Sequence, residues 1–170
     1  VQPIPSTQSR TSISGAIDFS RGLFDGNGFK GMRKVIDISG DGANNNGRPV
    51  AEAREQAMAK GITINGLPLM TRGDYYSDWA VRDLDVYYSN CVIGGPGAFM
   101  IPVNSWDQFP EAVRRKLVLE LAGKTPDLHK ADWRSRPNPL LVPVQATKQD
   151  YDCMSGERIW QRRMRDWESR

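Results

Sequence analysis

"KVIDISGDGANNNGR", residues 34–48, decides the class of fold. Its first half is apolar and β-branched apart from Asp37, and its second half is rich in Gly, Asp and Asn. That composition reads as a short strand from Val35 to Ser39 that ends in a polar turn. Downstream the period changes. Pro49 sits where a first-turn proline is tolerated, Val50, Ala53 and Ala57 mark one helical face, and Gly61 after Lys60 is a stop. "ITINGLPL", 62–69, is a second strand ended by Pro68. Upstream, Ile13, Ala16, Ile17, Ser20 and Phe24 recur at helical spacing behind Thr11 and Ser12, either of which can cap the first turn, and "DGNG" at 25–28 stops that helix.

The alternation continues. "MTRGDYYSD", 70–78, reads as a loop, and residues 79–88 as a helix with Leu84, Tyr88 and Cys91 on one face. After "GGPG" at 94–97, "AFMIPV" is a third strand. Ser105 or Asp107 opens the next helix, in which Phe109, Val113, Leu117 and Leu121 form one stripe, ended by Gly123. Strands and helices that alternate with short connections predict an α/β class: three layers, with a mostly parallel sheet covered by helices on both faces.

The organisation expected is an arm at 1–10, a domain at 11–123 and a tail at 124–170. The tail holds four prolines and an apolar "LLVPV", so it reads as an extended segment lying on the domain. Its end, "SGERIWQRRMRDWESR", reads as a short basic amphipathic helix with Trp160, Met164 and Trp167 on one side. Such a helix either docks on the domain or faces a membrane surface or partner.

With 170 residues, 39% of them hydrophobic and 25% charged, the chain suits one globular domain rather than two. The net charge of +3 comes from the tail, since residues 1–123 carry 13 basic and 13 acidic side chains. A nucleic-acid-binding core is therefore not expected. No window approaches the roughly 18 apolar residues of a membrane span. The chain starts at "VQPIP" without Met, as a processed or truncated product would. His129 is the single histidine, and with Cys91 and Cys153 it cannot build a zinc cluster. The two cysteines are read either as one disulfide or as buried free thiols.

In an open parallel sheet, ligands bind beyond the carboxyl ends of the strands, which is where Asp41 stands. With Gly40 and Gly42 to bend the backbone and Asn44 to Asn46 to supply amide oxygens, this loop offers hard oxygen ligands of the kind Mg²⁺ or Ca²⁺ prefers. One carboxylate is not a site, and the same residues also read simply as a turn before a helix. Asp37 differs because it interrupts an apolar strand. It needs a salt bridge, a hydrogen bond to a neighbouring loop, or a half-exposed strand.

The blocks "RTSISGAIDFSRGLF", "MRKVIDISGDGANNNG", "AREQAMAKGITINGLPL", "YYSNCVIGGPGAFMIPV" and "FPEAVRRKLVLELAG", in this order, resemble the later part of a von Willebrand factor type A (VWA) domain. More narrowly, they resemble a bacterial VWA-like family of unknown function. The resemblance implies a partial Rossmann-like VWA fold and a metal-ion-dependent adhesion site assembled from three loops. Thr11 matches its threonine, and Asp41 in Gly40-Asp41-Gly42 matches its later aspartate. Ser39, Asn44 and Asp37 are secondary candidates for the same cation, Mg²⁺ or else Ca²⁺ or Mn²⁺. The implied partner is a protein presenting an acidic residue, and the implied compartment is periplasmic or extracellular.

The Asp-x-Ser-x-Ser of the family's first strand is absent, and only ten residues precede Thr11. The N-terminal half of the domain is therefore expected outside this chain, with another chain as one way to complete the sheet. Reading Asp37-x-Ser39-x-Asp41 as a variant of that first motif is the alternative, but the segments on either side fit the fourth strand better. No catalytic set is credible. A Mg²⁺-dependent hydrolase or phosphatase using Asp41 is carried as the runner-up to a non-catalytic binding module. "RGD" at 72–74 is too short to carry weight.

Overall fold

The computed structural model describes residues 10–71, 81, 83–121, 142–143 and 151–168. Helix α1, Ile13–Leu23, starts at Ser12, whose Oγ accepts a hydrogen bond from the Gly15 amide. Strand β1 is Lys34–Gly40, helix α2 is Val50–Ala59 and strand β2 is Ile62–Pro68. The face of α2 that is buried is Val50, Ala53 and Ala57, as the period requires. Of the helix expected at 79–88, the described part is α3, Leu84–Tyr87, which continues as a π-helical turn, Tyr88–Val92. Residues 72–80 and 82 lie outside the described residues.

Strand β3 is Phe99–Met100, shorter than the six residues expected. Beyond it Ile101 and Val103 still donate to β2, at Gly66 O and Pro68 O, as alternate residues of a parallel strand do, while Pro102 has no amide hydrogen to give on the other side. A 3₁₀ turn, Trp106–Gln108, leads into α4, Phe109–Leu121. The tail contributes β4, Val142–Pro143, and helix α5, Ser155–Glu168.

The strand order is β1-β2-β3-β4; the first three are parallel and β4 is antiparallel to β3. β1 and β2 pair along their whole length, from Lys34 opposite Ile62 to Gly40 opposite Pro68. One face presents Ile36, Ile38, Ile62, Ile64 and Met100 to the core that α1, α2 and the Tyr87–Tyr88 segment close. The other presents Leu67, Phe99 and Ile101 to α4. The fold is a three-layer α/β arrangement. No helix among the described residues is long and apolar enough to cross a membrane.

The stripe expected on α4 holds at Phe109 and Val113, which pack against the sheet, and is corrected at Leu117 and Leu121. Leu117 and Leu121 are exposed, at 50% and 85%, whereas Ala112 and Lys116 are buried. The sheet face under α4 carries Asp37 on β1 and Asn65 on β2. A helix that turned leucines toward those groups would strand them without partners. Instead Lys116 forms an ion pair with Asp37 and lies 3.1 Å from Glu120, while Asn65 Nδ2 donates to Glu120 Oε1 at 2.8 Å.

β1 is an outer strand, and among the described residues its second edge has no strand beside it. Phe19 and Leu23 on α1, with Phe29 and Met32 in the connection to β1, are exposed apolar side chains. The opposite edge of the parallel set is covered by the tail through β4.

Candidate metal centre

Two loops meet at the carboxyl end of β1. The Thr11 amide donates to Asn45 Oδ1 at 2.7 Å, and the Thr11 carbonyl accepts from the Asn45 and Asn46 amides at 2.9 and 3.2 Å. This double clasp places the Thr11 hydroxyl against Gly42: a Cβ at position 42 would lie 3.2 Å from Thr11 Oγ1. A larger residue there would press on the threonine hydroxyl. The structure therefore brings together Thr11 and the Asp41 loop, which are 30 positions apart. Both contribute hard oxygen donors, the chemistry that suits Mg²⁺. Asp41 is exposed at the strand end, and its negative charge adds to burial in raising the phenol of Tyr88.

Asn44 is not a ligand in this arrangement. It is fully buried, and its amide is consumed by structure. Its Oδ1 accepts from the Ser14 amide at 3.0 Å, and its Nδ2 donates to Arg48 O at 3.1 Å and to Glu157 Oε1 at 2.7 Å. Its backbone amide donates to the Tyr87 hydroxyl at 3.1 Å. Asn44 thus joins α1, its own loop, α3 and α5. Arg48 adds a bidentate pair to Asp18 on α1, at 2.8 and 2.6 Å, which holds the Asp18 carboxyl below its usual range.

Asp37 is likewise engaged elsewhere. Burial pushes its carboxyl up, Lys116 pulls it down, and Glu120 opposes Lys116. Its side chain lies on the α4 face of the sheet, within β1 rather than beyond it. Ser39 is exposed on the same side of the strand, two residues on. Among the described residues, no group of three or more His, Cys, Asp or Glu side chains could hold a metal. Thr11 and Asp41 supply at most part of a shell of about six oxygens.

Residues 2–125 match the family described as Protein of unknown function (DUF1194). The chain belongs to that family. No curated protein and no solved structure matches it. The matched residues hold both loops, but Cys153 and α5 lie beyond them.

Cys91, in the π-helical turn, and Cys153 form a disulfide across 62 residues. Of the two readings of these cysteines, the structure holds the bridge. Glu157 and Lys116 escaped the sequence reading. Nothing in a sequence marks a carboxylate 113 residues away as the partner of an asparagine. For the second, the available signal was spacing, since Lys116 stands four residues after Ala112 and four before Glu120 on α4.

Proposed function

We propose that this chain is part of a cation-dependent protein-binding module of VWA type. The Thr11 hydroxyl and Asp41 carboxylate would be two of the ligands to Mg²⁺, or to Ca²⁺ or Mn²⁺. The observation that carries the reading is the Thr11–Asn45 clasp, which sets a hydroxyl from one loop beside the carboxylate loop at the end of a parallel strand. When bound, the cation supplies an electrophilic position that takes a carboxylate of a partner protein. The chain's own work is to hold Thr11 and Asp41 in register, through Asn45 and through the packing at Gly42.

The remaining protein ligands belong to the Asp-x-Ser-x-Ser that the resemblance calls for and this chain lacks. Another polypeptide segment would supply them while pairing with the outer edge of β1. The Cys91–Cys153 bridge supports placement in an oxidising compartment, the periplasm or the exterior.

The test is thermal unfolding with and without Mg²⁺ or Mn²⁺ of the full-length protein, with the Asp-x-Ser-x-Ser segment present, as parent and as Asp41→Ala, with a phosphatase assay alongside. A cation-dependent rise in Tm that Asp41→Ala abolishes is expected, without turnover. Turnover lost in Asp41→Ala would favour a hydrolase, and absence of any cation response would end the metal-site reading.

A further inference from the structure

The helix that lies outside the family match holds the loop that carries Asp41. Three contacts from the tail converge on Asn44. Glu157 Oε1 accepts from Asn44 Nδ2 at 2.7 Å. Gly156 lies so near the Asn44 carbonyl that an added Cβ would come within 2.2 Å of it. The Tyr151 ring stacks edge-on against Tyr87, centroids 6.2 Å apart, and the Tyr87 hydroxyl accepts from the Asn44 amide. A fourth contact reaches the other loop: the Arg10 guanidinium lies 5.0 Å over the Trp160 ring, one residue before Thr11. The tail therefore touches both loops of the candidate centre.

This docking has a built-in cost. Glu157 is 93% buried, being 7% exposed, and its Oε2 finds no hydrogen-bond partner among the described residues. Burying a carboxylate that is only half satisfied is unfavourable. A 14-residue helix is also marginal on its own in water. What offsets both is the covalent tether, because Cys153 precedes the first residue of α5 by two positions and fixes it beside the buried Cys91.

We infer that α5 is a disulfide-locked clamp on residues 41–48, and that Glu157 is a positioning residue whose hold on Asn44 depends on the Cys91–Cys153 bridge. A dithiol reductant opens it. The reductant's two thiols give up two electrons and two protons and become a disulfide, while Cys91 and Cys153 take them up as thiols. With the tether gone, α5 leaves, Asn44 loses Glu157, and the loop relaxes. The loop is then shaped only where the bridge persists.

Amide hydrogen exchange on the full 170-residue chain tests this, and it is independent of whether Thr11 and Asp41 hold a cation. In Cys91→Ser/Cys153→Ser, and in the parent treated with dithiothreitol, the Ser14, Asn44 and Asn45 amides should exchange about tenfold faster or more. The Ile64 amide, bonded to Gly94 O within the core, follows the loss of overall stability but should remain the slower to exchange. Glu157→Ala should speed the same loop amides, and Glu157→Gln, which keeps an oxygen facing Asn44 Nδ2, should restore them. Unchanged loop exchange while α5 amides lose protection would overturn the inference, as would Glu157→Gln behaving like Glu157→Ala. Should loop and Ile64 amides in the double cysteine variant exchange at the same rate, as in global unfolding, Gly156→Ala decides with the bridge intact. Its methyl group meets the Asn44 carbonyl, so faster loop exchange supports the clamp and unchanged exchange refutes it.

Discussion

Asn44→Asp isolates the contact on which the candidate centre and the tail both depend. The substitution keeps size and shape, and it keeps the Oδ1 that accepts from Ser14. It replaces Nδ2, which gives one hydrogen bond to Arg48 O at 3.1 Å and one to Glu157 Oε1 at 2.7 Å. A bond to a charged group is worth about 1.5–3 kcal/mol and one to a carbonyl about 1 kcal/mol, so the loss is about 2.5–4 kcal/mol before any repulsion between the two carboxylates. For a chain of this size that corresponds to a fall in Tm of roughly 5–16 °C. The pH dependence fixes the sign. Burial raises the Glu157 carboxyl above its ordinary 4.5 despite the Asn44 hydrogen bond that lowers it. An acid raised in the folded state binds protons more readily folded than unfolded. Stability from this group therefore falls as pH rises through the window above 4.5. A second carboxylate in contact widens that window, so the deficit of Asn44→Asp should be largest near neutral pH and shrink as one proton comes to bridge the pair. Thermal unfolding followed by circular dichroism, under non-reducing conditions from about pH 7.5 to about pH 5, measures this. A variant within about 2 °C of the parent at neutral pH, or a deficit that grows on acidification, would refute the docking of α5 on the loop.

Lys116→Met should cost about 2–4 kcal/mol, because it leaves Glu120 and Asp37 without their shared cation; the 37% exposure of Asp37 lets water recover part of the loss. An unchanged denaturant midpoint would contradict this. Removing the disulfide with Cys91→Ser/Cys153→Ser should lower stability by about 4 kcal/mol for a 62-residue separation, read from denaturant curves at constant slope, and no difference would mean that the bridge constrains little. In sedimentation the chain alone should associate with rising concentration through the edge of β1 that has no strand beside it among the described residues and through the exposed apolar side chains of α1 and the connection to β1. A dilution-stable monomer that unfolds cooperatively would remove that idea.

Local pattern was enough for α1, β1, α2 and β2. Each has a period, a cap or a stop within a few residues, so Val50, Ala53 and Ala57 could be assigned to the core from spacing alone. Asp41 was legible for the same reason, as a carboxylate at the end of an apolar strand, and Thr11 came from the order of sequence blocks. Where pattern misled, a long-range polar contact had overridden it. Leucine spacing on α4 pointed to one face, but Asp37 and Asn65 across the sheet needed Lys116 and Glu120, and the helix turned to meet them. β3 is shorter than the apolar run that announced it, although Ile101 and Val103 still donate to β2 beyond its end.

The sequence by itself determined the alternation of elements, the parallel class and the polar loop beyond β1, because these follow from contacts within a few residues. Only the tertiary structure decided what that loop is fastened to. Asn44 could be read as an oxygen donor until its amide proved to be spent on Ser14, Arg48 and Glu157. The cysteines had two readings until Cys91 and Cys153 lay side by side. A hydrogen bond across 113 residues leaves no periodic trace, since its partners are chosen by the packing of the whole chain and not by their neighbours.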